Sequence, residues 1–243
     1  MGNHHPRHLT VNGSAMTSGG TFNKVKIRGD GTINGDLRCD QWKVFGNANV
    51  SGNVEAKTVD VFGQANIRGN AEVGSIKIFG EMDIHGYSVI KDLNLRGVVR
   101  ISENLVGGAI HGYGEIKIDH DCEADSFSVK GVVEVGKTLN AEHIDLYLHV
   151  ADSRIAEIGG KTIRVTKSKV FNVLHFLKRL SHDSAKLWVE TIEGDEIYLE
   201  HTNAKIVRGN HIVIGPGCDI ELVEYQESFQ QDEKATVRES KKI

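Results

Sequence analysis

The chain has 243 residues, 39% hydrophobic and 26% charged, with a formal charge of −4 and a pI near 6.3. That length is enough to bury a sizeable core, and the acidic balance gives no electrostatic case for nucleic acid as a partner. Glycine outnumbers proline 27 to 2, so it serves as punctuation within structure and does not mark a disordered linker.

The opening "MGNHHPRHLTVNGS" lacks the apolar run of a signal peptide. Residues 1–20 read as a flexible polar arm, and His4, His5 and His8 as part of it, not as a metal site. No stretch approaches the ~20 apolar residues of a membrane span. Cys39, Cys122 and Cys218 are far apart in sequence, without a CxxC pair, and read as buried thiols of a reducing compartment. A cytoplasmic location is therefore the expectation.

From Val25 onward the sequence repeats. Steps of 17 reach Val25, Trp42, Val59, Ile76, Leu93, Ile110, Phe127 and Ile144, apolar every time. Four residues beyond the first seven come Gly29, Gly46, Gly63, Gly80, Gly97, Gly114 and Gly131. Eight residues beyond come Ile33, Val50, Ile67, Ile84, Ile101, Ile118 and Val135. Even offsets are apolar or Gly and odd offsets mainly Lys, Asp, Asn, Arg and Glu, a period of two that signals strands. Each unit is predicted to be three short strands of about five residues, with glycine at the corners taking positive φ.

Such a unit cannot bury its inward side chains alone. Stacking units about 4.8 Å apart pairs the strands in parallel and continues one core, predicting an all-β parallel β-helix (β-solenoid) of about eight windings over residues 21–166. Left-handed hexapeptide-repeat acyltransferases keep a six-residue apolar beat, whereas here one corner is a residue short. Pectate-lyase-like helices carry long loops that build a cleft, and these windings carry none from Val25 to Ala141.

The stretch "SGGTFNKVKIRGDGTINGDLRCDQWKVFGNANVSGNVEAKTVDVFG" resembles the bactofilins, through Ser18 to Phe22, then "IRGDGTINGDL" and successive windings with "NVSGNV" and "NIRGNA". The resemblance covers residues 18–143. It implies a right-handed β-helix that polymerises end to end without nucleotide. It also implies a scaffold at the inner membrane surface that recruits envelope, cell-shape or motility machinery. Solenoid ends carry unpaired strand edges, which are templates for another copy. Phe22, Val25 and Ile27, on the first winding of the count, are the expected self-association residues.

After Ile144 the beat fails. Residues 167–187 read as an amphipathic insert in which Phe171, Leu174, Phe176 and Leu177 share an apolar side, available to a membrane interface or to the end of the solenoid. Residues 188–225 read as altered windings or a small capping sheet, and 226–243 as a disordered tail.

The chemistry-bearing residues do not converge in sequence. Asp30, Asp36, Asp119, Asp121 and Glu123 fall at corners or outward offsets, and His85, His111, His120 and His149 share no ligand spacing. No catalytic, cofactor-binding or metal residue is expected. One outward column stands out: Phe45, Phe62 and Phe79 stack an apolar stripe, either covered by the N-terminal arm or serving as a lateral or partner contact. Three readings stand at this point: a self-assembling cytoskeletal scaffold, a solenoid enzyme acting on acyl groups or polysaccharide, and a capped adaptor that does not polymerise.

Overall fold

A computed structural model describes residues 7–168 and 185–243. The chain divides into two compact units, Met1–Ala124 and Asp125–Ile243. Both are parallel β-solenoids, and the described residues contain no helix.

In the first unit β1 (His8–Val44) runs through two windings and pairs with β2 (Asn47–Val50) and β3 (Val54–Val61). β4 (Gln64–Ile67) and β5 (Ala71–Ile78) stack on these, followed by β6 (Glu81–Ile84), β7 (Ser88–Leu95), β8 (Val98–Ile101) and β9 (Leu105–Ile118). The register keeps the 17-residue beat, with Trp42 beside Val59, Val59 beside Ile76 and Ile76 beside Leu93. All four are at most 1% exposed, as are Ile33, Val50, Ile67, Ile84, Ile101 and Ile118 on another face. Each such Val or Ile contributes roughly 1.5–3 kcal/mol by leaving water.

The glycine column has two causes, of which only one was expected. Gly29, Gly114 and Gly131 take the expected positive φ, at 112°, 145° and 145°, but Gly46, Gly63, Gly80 and Gly97 do not. A Cβ on Gly63 would lie far inside contact with the carbonyl oxygen of Gly46, and one on Gly80 would meet that of Gly63 in the same way. Corners of successive windings approach too closely for any side chain, so close packing alone holds the middle of the column, from Gly46 to Gly97, while backbone conformation adds to it at Gly29 and Gly114.

The N-terminal arm is also corrected. Residues 8–20 lie in β1 and form a winding below the one that starts at Val25. Gly13 lies beneath Gly29, Gly19 beneath Gly35 and Asp36, and Val11 is buried. The step here is 16 residues instead of 17, so counting back by 17 misses it.

The second unit continues with β10 (Cys122–Leu148, which begins three residues before it), β11 (Ser153–Lys167), β12 (Leu187–Leu199) and β13 (Thr202–Ile214). β14 (Asp219–Gln231) and β15 (Thr236–Lys242) complete it. Ile144, Ile163, Ile197 and Ile212 sit side by side across four strands, so these are windings of altered length and not a separate sheet. The expected disordered tail is corrected in turn, because β15 pairs with β14, placing Val237 beside Ile220. Backbone bonds from Thr236 to Cys218 (2.9 Å) and from Ile243 to Tyr225 (3.0 Å) hold it, and composition cannot reveal such bonds.

Candidate self-association surface

The corner after each first strand carries the outward aromatic column of the first unit. The backbone N–H of Phe62 donates to the Val44 carbonyl at 2.8 Å, and that of Phe79 to the Val61 carbonyl at 2.8 Å, so the ladder fixes the ring spacing. Phe45 and Phe62 have ring centroids 5.1 Å apart and planes within 3°; Phe62 and Phe79 are 5.0 Å apart and within 2°. The rings are 44–47% exposed, so residues 8–20, busy in their own winding, do not cover them. Cations close both ends of the stack, with Lys26 Nζ 5.4 Å from the Phe45 centroid and the Arg96 guanidinium carbon 5.8 Å from that of Phe79.

Two outward columns flank the rings. On the side before the corner lie Lys26, Lys43, Asp60 and Lys77; on the side after it lie Asp30, Asn47, Gln64 and Glu81. Lys43 pairs with Asp60 at 2.9 Å, while Asp30 accepts from Asn47 at 2.7 Å. Glu81 is held by Arg100 and by Gln64, and the Arg100 guanidinium beside it keeps its carboxyl below the usual range. Desolvation, then Arg28, Lys24 and Lys43, hold the Lys26 ammonium below its ordinary value.

The residues expected at the N-terminal end face lie elsewhere. Phe22, Val25 and Ile27 are 7%, 0% and 0% exposed, and the unforeseen first winding covers the end face expected there. The outermost strand segment of the first unit is residues 8–20, and that of the second unit is β15, which pairs only with β14. The signal for the first winding was present in Gly13 and Gly19, each 16 residues before Gly29 and Gly35. Phe171, Leu174, Phe176 and Leu177 lie outside the described residues.

Polar side chains serve the stacking. Asp36 accepts the Asn53 N–H at 2.7 Å, His85 bonds Asn66 at 3.1 Å, and His111 bonds Asn94 at 3.2 Å. Among the described residues no three His, Cys, Asp or Glu gather as metal ligands. A groove of about 580 Å³ on the second unit runs past Trp188, Val189 and Ala204. Several of its charges pair with one another, Lys205 with Glu190 at 2.8 Å and Arg238 with Glu221 at 3.5 Å. No helix among the described residues is long and apolar enough to cross a membrane.

A family model described as bactofilin, polymer-forming cytoskeletal, matches residues 4–89. Two uncharacterized proteins of Bacillus subtilis (strain 168) are similar to the chain. YhbE is 37% identical over 235 residues, which is 97% of this chain and 98% of YhbE. YhbF is 38% identical over 105 residues, 43% of this chain and 41% of YhbF. No solved structure gives a significant match.

Proposed function

The chain belongs to the bactofilins, polymer-forming cytoskeletal proteins, and on that premise we propose that it is a non-enzymatic scaffold assembling through its strand edges. The observation that supports this reading is the pair of open edges, residues 8–20 in one unit and β15 in the other. Each is a row of backbone donors and acceptors that a second copy can satisfy, and a parallel winding added there extends a core that already exists.

In this reading the polymer works in the cytoplasm and recruits envelope, shape or motility proteins. Its outward columns, repeated at fixed intervals, are the docking material, and the exposed Phe45, Phe62 and Phe79 form a lateral contact surface. Contact with the inner membrane face through Phe171, Leu174, Phe176 and Leu177 belongs to the same proposal and rests on their sequence alone.

Negative-stain microscopy with analytical sizing of the purified full chain tests the reading. Filaments or concentration-dependent oligomers are expected without nucleotide or added metal. A monomer at every concentration removes the mechanism and leaves the adaptor in its place.

A further inference from the structure

The aromatic ladder has charge on both sides, and the two sides differ in sign. Lys26, Lys43 and Lys77, with Asp60 among them, lie before the corner; Asp30 and Glu81 lie after it. Lys43 is neutralised by Asp60, leaving Lys26 and Lys77 as the unbalanced cations. Arg100, which holds Glu81, stacks on Asp83 and so stands further from the rings than Glu81 does. The apolar stripe is thus bordered by a column with a net positive charge and by one whose acids are Asp30 and the Arg100-bound Glu81.

Two copies can meet ladder to ladder about a two-fold axis in two ways that keep the stacks aligned. An axis across the ladder makes the copies antiparallel and sets basic column on basic column. An axis along the ladder makes them parallel and sets each basic column on the other copy's acidic column. The second arrangement places Lys26 opposite Asp30 of the partner subunit and Lys77 opposite Glu81 of the partner subunit. Like charges opposed across an interface are costly and opposite ones fix register, so electrostatics selects the parallel pair. The half-exposed rings of Phe45, Phe62 and Phe79 supply the apolar area.

We infer that the Phe45–Phe62–Phe79 ladder is the contact through which two copies of this chain associate side by side, parallel and in register. This rests on reading the ladder as a lateral surface, and it adds the identity and direction of the occupant. Pairing of this kind uses outward side chains and leaves the backbone donors and acceptors of residues 8–20 to edge assembly.

Single cysteines at Phe45 or at Phe79, in the full chain under mild oxidation, test the direction. Native Cys39, Cys122 and Cys218 are buried and do not compete. In the parallel pair each variant alone forms a disulfide-linked dimer. Cross-linking only in a mixture of Phe45→Cys with Phe79→Cys chains indicates the antiparallel pair and overturns the inference. So does the absence of cross-links where microscopy of the same samples still shows filaments, which leaves the scaffold reading intact. Cross-links without filaments have the converse meaning. The charges are tested by Lys77→Glu, expected to weaken side-by-side pairing roughly fivefold, and by Lys77→Glu with Glu81→Lys, expected to restore it. Equal pairing by all three chains also overturns the inference.

Discussion

Asn53 accepts on its side-chain oxygen the backbone N–H of Asn70, one winding on, at 2.8 Å. Asn70 does the same for Tyr87 at 3.0 Å, and Asp36 for Asn53 at 2.7 Å. The ladder fits because Gly52, Gly69 and Gly86 leave room: a Cβ on Gly69 would strike the Asn53 oxygen. Each rung satisfies a corner N–H that strand pairing leaves over, and Tyr87, with no amide, ends this run. Asn53→Ala is expected to cost about 1–3 kcal/mol by removing that acceptor. Asn53→Asp, which keeps an acceptor in place as Asp36 does, costs less. Chemical denaturation of both variants checks this; equal losses sink the rung.

Gly63 and Gly13 separate two reasons for glycine. Gly63→Ala drives a methyl into the Gly46 carbonyl oxygen, which already accepts from Gln64 at 2.8 Å. At least about 2 kcal/mol of stability is lost, as for other overpacked cores. A Cβ on Gly13 meets nothing within 4 Å, so Gly13→Ala loses only the strain of its φ of 82°, about 1 kcal/mol. The comparison is a pair of unfolding midpoints, and an order reversed from this contradicts the close-packing account.

Glu224 receives Lys241 Nζ at 2.7 Å and Arg208 Nε at 2.7 Å. Lys241 first, then Arg208, holds its carboxyl below the ordinary carboxylate range. A folded pKa below the unfolded one means stabilisation that is complete above the unfolded value, about 4.3, and is lost as pH falls through the folded value. Lys241 lies on β15, so acidification below about pH 4 is expected to loosen Thr236–Lys242 before the inner windings. Hydrogen exchange at pH 7 and pH 3 reads this directly, and unchanged protection of β15 relative to β13 at the lower pH contradicts it.

Burial pushes the thiols of Cys39 and Cys122 up to about 12 and that of Cys218 up to about 11. At pH 8 the native chain offers almost no thiolate, the reactive species. A thiol reagent should label none of the three quickly in the folded protein and all of them in denaturant. Fast labelling of any one in the native state shows that its winding opens.

The repeated windings were legible because one register serves every layer: Gly46, Gly63 and Gly80 recur with their apolar neighbours whatever else changes. The first winding was not, because its step is 16 and its outward face carries the polar residues of an arm. Nor was β15, where Val237 is the single apolar side chain facing Ile220 and the backbone ladder does the rest. The spacing of Phe45, Phe62 and Phe79 predicted a stack, but not whether other chain would cover it. That depended on where residues 8–20 went, a question of tertiary pairing that local pattern does not contain.

Windings in this chain differ in length while their strands stay aligned. Ile163 lies beside Ile197, 34 positions on, whereas Ile197 lies beside Ile212, 15 positions on. The ladder therefore fixes which residues meet and leaves the amount of chain between them unset, provided that the surplus leaves and re-enters between the same two strands. Alignment is thus set by side-to-side pairing and not by step length: Val165 meets Leu199 across 34 positions, and Leu199 meets Ile214 across 15.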